Sequence, residues 1–373
     1  MSQLFSPISL GQLTLANRIV VSPMCQYSAI DGDAQDWHLM HLGSLAISGA
    51  GMLIVEAAAT SAEGRITPSC LGLYSDSNEA ALARVLGAIR AHSAIPIAMQ
   101  IGHAGRKASS EEPWNGGGLI ALDAPRGWQP LGPSALAQLP GEAPARAMTL
   151  TQIRAVVAQF AATAMRAQRL GIEALELHAA HGYLLHSFLS PLANRRDDAY
   201  GGSLENRMRL PLDIFDAVRA VWPEAKPLGV RISASDWVEG GWDIDQSIQL
   251  ARELKARGCN WLDCSSGGVA PALQKITLGP GYQVPFADAI RKAVPGLPIM
   301  AVGLITDPHQ AEEIIASGRA DMVALARGML FDPRWPWHAA AELGGQVDAP
   351  PQYWRSQPRG LKALFGDARV GQR

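Results

Sequence analysis

The stretch "EALELHAAHGY", residues 173–183, changes character halfway along. Its first half is a short apolar run of the kind that forms a strand buried on both faces. Its second half sets His178, His181 and Tyr183 around a glycine that permits a turn. Two imidazoles and a phenol at a strand end suit three uses: metal ligands, acid–base catalysts, or hydrogen-bonded residues that close the strand. The fold built around them decides among the three.

Eight short apolar runs can be counted along the chain: "NRIVVSPM" (17–24), "GMLIVEAAA" (51–59), "IPIAMQIGHAG" (95–105), "EALELHAAHG" (173–182), "PLGVRISAS" (227–235), "NWLDCSSGG" (260–268), "LPIMAVGLI" (297–305) and "DMVALARGM" (321–329). Between most of them lie segments with helical spacing, such as "NEAALARVLGAIRAH", "TQIRAVVAQFAATAMRAQRLG", "SIQLARELKARG" and "PHQAEEIIASGRA". Several of these reach a glycine where a helix would stop. Strands alternating with helices predict an α/β fold with a parallel sheet, and eight strands close a TIM (β/α)8 barrel. With no linker dividing two cores, residues 1–373 are expected to form one domain. A long excursion, about Glu111 to Met148, follows the third strand, and an extended segment follows the eighth. Loops of that length in compact domains are usually functional.

Composition narrows the function. Hydrophobic residues make up 48% and charged residues 18% of the 373, the balance of a globular protein. A formal net charge of −2 offers no pull on nucleic acid or an anionic membrane surface. No run is long enough for a membrane span, and the N-terminus lacks a signal-peptide pattern, so a cytoplasmic protein is expected. Cys25, Cys70, Cys259 and Cys264 form no C-x-x-C pair, which gives no sign of a zinc or iron–sulfur site.

In a barrel of this kind catalytic groups collect at the C-terminal ends of the strands. Strand one ends in "SPMCQY", strand three in "QIGHAGR", strand four in "HAAHGY", strand six in "SSGG" and strand eight in "ARGML". The small residues and Arg327 after strands seven and eight suit an anionic phosphate. Histidines that donate to one carbonyl oxygen would stabilise an enolate, and a tyrosine could then deliver a proton to carbon. A metal-dependent hydrolase using His103, His178 and His181 is the competing use. The strand-end acids Glu56, Asp236 and Asp263 show no partner pattern for it.

Taken together, "ANRIVVSPMCQYSA", "VEAAATSAEGRITP", "QIGHAGRKAS", "LELHAAHGYLLHSFLSPLANRRDDAYGGSLENRMR", "PLGVRIS" and "LARGMLFDPRWP" resemble the old yellow enzymes, FMN-dependent ene-reductases, over nearly the whole chain. "SPMCQY" is similar to the xenobiotic reductase and thermostable subgroup, in which a cysteine lies near the flavin. The resemblance implies that Pro23, Met24, Cys25, Ala57, Gln100 and Arg231 border the flavin ring, and that Gly303, Ala326 and Arg327 hold its phosphate. It implies that His178 and His181 bind the substrate oxygen, Tyr183 donates the proton and Tyr27 lies on the substrate side. Arg231 near the flavin would stabilise the anionic reduced form, and an internal salt bridge to Glu176 could coexist with that role.

The implied reaction is ping-pong. NADPH (or NADH) reduces FMN, leaves, and an α,β-unsaturated carbonyl or nitro compound takes its place. One site for both substrates accords with a sequence lacking G-x-G-x-x-G. The resemblance also implies a homodimer or homotetramer in which Trp354 or Arg355 reaches the neighbouring subunit's site; packing of that tail on its own barrel is the alternative. Larger barrel flavoproteins with a cysteine-bound cluster and nucleotide domains fit less well, as does a non-catalytic flavin-binding protein. In "RRDDAYGGSLENRMR", Ser203 is expected to cap a helix beginning near Leu204 and Arg207 to anchor it.

Overall fold

Each of the eight runs forms a parallel strand in the computed structural model, which describes residues 2–366 and 368. The strands are β1 (Ile19–Val21), β2 (Met52–Ala59), β3 (Ile97–Gly102), β4 (Ala174–Ala179), β5 (Leu228–Ser233), β6 (Trp261–Ser265), β7 (Ile299–Val302) and β8 (Met322–Leu325). They pair in chain order, and β8 returns to β1 through Val323 opposite Ile19, which closes the barrel. All are shorter than their apolar runs, and in every strand but β2 the last residues of the run leave the ladder to form the rim.

The helices follow from local chemistry. Ser75, Thr149, Ser203, Asp243 and Asp307 each cap a helix by accepting a backbone N–H from its first turn. They begin α2 (Asp76–Arg90), α3 (Leu150–Arg169), α5 (Leu204–Val221), α6 (Ile244–Ala256) and α8 (Pro308–Ala316). The expected cap at Ser203 is present. Arg207 anchors that helix through the Leu189 and Gly202 carbonyls and Gln246. The remaining helices are α1 (Asp36–Ala46), the short α4 (Leu184–Leu189), α7 (Val284–Ala293), α9 (Arg327–Phe331) and α10 (Trp335–Leu343).

The larger apolar core lies between barrel and helices, and a second fills the barrel with Val20, Met52, Ile54, Trp261, Met300 and Met322. A hairpin (Ile8–Leu10, Leu13–Leu15) closes the lower end by adding Leu10 and Leu15 to that second core. Gly229 lies opposite Trp261, and a Cβ at that position would enter the indole ring. The barrel therefore admits one large aromatic there because its neighbour has no side chain.

The excursion after β3 folds over the rim. Ser110 bridges Leu119, and Leu131–Gly132 pairs with Arg146–Ala147. The Trp128 indole donates to the Glu63 carbonyl at 2.9 Å, and Trp114 meets Tyr27 edge to face at 5.7 Å. The C-terminal segment instead packs on its own barrel. Trp354 joins Trp337, Val347, Leu364 and Phe365, and its indole donates to Ala349. Residues 367 and 369–373 of this segment lie outside the described residues. No described helix is long and apolar enough to cross a membrane.

Candidate active site

The ends of β7 and β8 open a cleft of about 160 Å³, lined by Gly303, Leu304, Ala326, Arg327 and Gly328 and reaching Arg231 on β5. Gly303 holds φ at 117°, a backbone shape reserved for glycine. Arg327 is exposed at the mouth. Arg231 is buried; Nη1 donates to Ser22 at 3.0 Å and Nε stands 3.2 Å from the Asp263 carboxylate. The sequence left room for an internal salt bridge from Arg231 to Glu176; the bridge is present, but its partner is Asp263. In register, Arg231 lies opposite Asp263, whereas Glu176 accepts from Gln100 at 2.8 Å and Trp261 at 3.0 Å. Burial, and then the Asp263 charge, push the Glu176 carboxyl upward.

The cleft fits FMN by its donor set. A guanidinium at one end suits the electron-rich part of a flavin ring, and Arg327 with glycine backbone at the other suits a phosphate.

Across the rim, His178, His181 and Tyr183 converge as the turn after β4 allows. His181 takes φ 59° and Gly182 φ 75°. Every pair of rings is edge to face, with centroids 5.1 Å apart for His178–His181, 4.7 Å for His178–Tyr183 and 6.4 Å for His181–Tyr183. Nδ1 of His178 accepts the Ala180 amide at 3.2 Å, so the proton of the neutral ring sits on Nε2, 3.3 Å from Nδ1 of His181. Nε2 of His181 lies 2.7 Å from the Ser265 hydroxyl. Burial holds both imidazoles well below their usual range, reinforced by Arg231. They are therefore neutral donors near pH 7. Burial also pushes the Tyr183 phenol well up, which keeps its proton in place.

Pro23, Met24, Cys25 and Tyr27 follow β1 as a half-buried segment. Ala57 lies on β2 and Gln100 on β3. Glu56 holds the segment by accepting the Gln26 amide at 3.0 Å. Burial, then Cys70 and Glu56, push the Cys25 thiol well up. The structure thus brings the sequence-derived residues to one rim, apart from Trp354 and Arg355. Trp354 is committed to the cluster around Trp337, and Arg355 is exposed on the same segment.

Lys107 was not among the sequence candidates. Its ammonium donates to the His181 carbonyl at 2.8 Å and lies 4.9 Å from the Tyr183 ring centroid. Burial lowers its pKa to about 8. Its place just after the "GHAGR" rim of strand three was the available signal. His103 joins no metal-binding group: its Nδ1 accepts the Gly105 amide, and no three His, Cys, Asp or Glu side chains among the described residues are grouped as ligands.

Residues 3–345 match the NADH:flavin oxidoreductase / NADH oxidase family. The chain is 44% identical over 354 residues to an NADPH dehydrogenase of Geobacillus thermodenitrificans, covering 94% of this chain and 98% of that one. Morphinone reductase in complex with tetrahydroNAD superposes with a TM-score of 0.74 at 28% identity, covering 99% of this chain and 98% of that one. A 2-naphthoyl-CoA reductase complex superposes with a TM-score of 0.81 at 26% identity over 92% of this chain, which spans about half (52%) of that longer protein. The chain therefore belongs to the NADH:flavin oxidoreductase / NADH oxidase family, the old yellow enzymes, and is an NADPH-dependent FMN oxidoreductase.

Proposed function

We propose that the enzyme reduces the activated C=C bond of α,β-unsaturated carbonyl or nitro compounds, with the whole chain serving as one FMN-binding domain. The observation that carries this reading is the cluster of neutral His178, His181 and Tyr183 on the rim across from the cleft. Pro23, Met24, Cys25, Ala57, Gln100 and Arg231 would hold the flavin ring of FMN, and Gly303, Ala326 and Arg327 its phosphate. The chemistry supplied there by FMN is hydride acceptance from NADPH and hydride delivery to Cβ of the substrate, the two partners using the site in turn.

Every other step falls to the chain's own residues. A substrate oxygen entering between the imidazoles displaces the 3.3 Å contact, takes a hydrogen bond from Nε2 of His178, and takes a second from Nδ1 of His181 in the tautomer whose Nε2 accepts the Ser265 hydroxyl. Neutral imidazoles suit this role, because they stabilise developing enolate charge without surrendering a proton to it. Tyr183 then protonates Cα, and Tyr27, held against Trp114, borders the substrate. Cys25, with its thiol held protonated, acts on the flavin environment and not as a nucleophile. Small enones and nitro-olefins are the expected substrates. A homodimer or homotetramer is the expected assembly, and Arg355, exposed and without a contact to its own site, is the residue free to reach a neighbour.

The test separates the half-reactions by rapid mixing. Replacing Tyr183 by Phe is expected to slow reoxidation by cyclohexenone by at least ~100-fold, the usual contribution of a general acid, while leaving reduction by NADPH within a few-fold. Equal slowing of both half-reactions would contradict the assignment.

A further inference from the structure

The amide of Gly182 is buried in a turn where Gly182 and His181 are both left-handed. No strand ladder reaches it, and an unpaired buried N–H is costly. Its acceptor is an imidazole: Nδ1 of His186, on the first turn of α4, lies 2.8 Å away. His186 has no solvent exposure, and neither does Asp236, whose Oδ1 stands 2.9 Å from Nε2 of the same ring. Because Nδ1 accepts, the proton of the neutral ring sits on Nε2, facing the carboxylate.

Asp236 is itself fixed. Its Oδ2 accepts the Ser190 hydroxyl at 2.6 Å and the Trp242 amide at 2.7 Å, which ties the turn to the loop after β5. The other sides of the turn are also held. The His181 amide donates to Ser233 at 2.9 Å, and the Ser187 hydroxyl donates to the Gly182 carbonyl at 2.9 Å. A Cβ at Gly182 would enter the Gly268 backbone, so the glycine itself is required. With its proton moved to Nδ1, His186 would face the Gly182 amide donor to donor.

We propose that His186 and Asp236 are positioning residues: Asp236 holds His186 in the tautomer whose Nδ1 receives the Gly182 amide, and that bond sets the turn that aims His181 and Tyr183. Neither residue touches substrate. The inference rests on the roles given above to His181 and Tyr183, and it adds the device that maintains their geometry.

Two substitutions separate the two sides of the imidazole. His186→Asn places an oxygen near the position of Nδ1 and keeps an acceptor for Gly182, losing the link to Asp236. His186→Gln places its amide near Nε2 and keeps a partner for Asp236, offering none to Gly182. Each removes one buried polar contact of the imidazole, so a merely structural role predicts similar losses. Phenol is the probe, because a phenolate mimics the enolate oxygen held by His178 and His181. On the FMN-loaded enzyme, His186→Gln is expected to weaken phenol binding and slow reoxidation by cyclohexenone at least ~tenfold, and His186→Asn no more than ~threefold.

Asp236→Asn is expected to weaken phenol binding in the wild-type background and to add nothing to His186→Asn, which has no tautomer to hold. Equal losses in the two His186 variants, or an equal Asp236→Asn effect in both backgrounds, would overturn the proposal. Should the variants fail to fold, imidazole nitrogen NMR of the wild-type holoenzyme decides: an unprotonated Nδ1 of His186 supports the proposal and a protonated one refutes it. His181→Ala and Tyr183→Phe serve as controls. If they leave phenol binding and reoxidation unchanged, the reading of the site itself fails; if they weaken them while the His186 variants match each other, only the present inference fails.

Discussion

Replacing Lys107 by Met removes a half-buried ammonium that donates to the His181 carbonyl and lies over the Tyr183 ring. Burial lowers the pKa of this lysine from 10.5 to about 8. At pH 7 the folded and unfolded chains both carry its proton, and the folded chain bears the cost of the buried charge. Between about pH 8 and 10.5 the unfolded chain still binds a proton that the folded chain has released, so the stability of the wild type rises with pH. A difference of 10.5 against about 8 corresponds to roughly 3 kcal/mol at ~1.4 kcal/mol per pH unit. Urea unfolding of both proteins at saturating FMN, from pH 7 to 10.5, reads this out; FMN stabilises each by mass action, so the difference between them isolates Lys107. The wild type is expected to gain about 3 kcal/mol relative to the methionine variant over that range. A difference that stays flat with pH would show that the ammonium is well solvated, and would remove the case that it sits charged in a dry site.

Two further predictions follow from the buried groups. Because burial and the neighbouring Cys70 and Glu56 push the Cys25 thiol up, iodoacetamide at pH 8 is expected to label it far more slowly than a small-molecule thiol; labelling at a comparable rate would show a reactive thiolate. Replacing Arg231 by Met leaves the buried Asp263 carboxylate without its cation and is expected to cost about 3–5 kcal/mol in urea unfolding, with loss of bound yellow colour; unchanged stability would mean that the Arg231–Asp263 pair is not an interior charge pair.

The alternation of apolar runs with helical spacing is local, so the eight strands, their order and the capped helices could be read from the chain alone. Ser203 illustrates this: its partner, the Asn206 amide, is three residues away. The strand ends were less legible. The runs continue past the ladder, as at His181 and Gly182, where positive φ turns the chain out of β4. The likeness of "HAAHGY" and "SPMCQY" to a known family placed the candidate site at the rim, because rim residues sit at fixed positions along their own strands.

What the sequence by itself determined, then, is the barrel and which residues lie on its rim, since both follow from short-range periodicity and motif spacing. Which side chains meet was decided only by tertiary structure. Arg231 pairs with Asp263 and not Glu176 because the register of β5 against β6 sets those two residues opposite, and no local pattern encodes that register. Lys107 reaches the His181 carbonyl across 74 residues, and His186 meets Asp236 across two barrel strands' connections. Contacts of that kind depend on closure of the barrel, which brings distant strand ends to one rim and excludes water from the charges placed there.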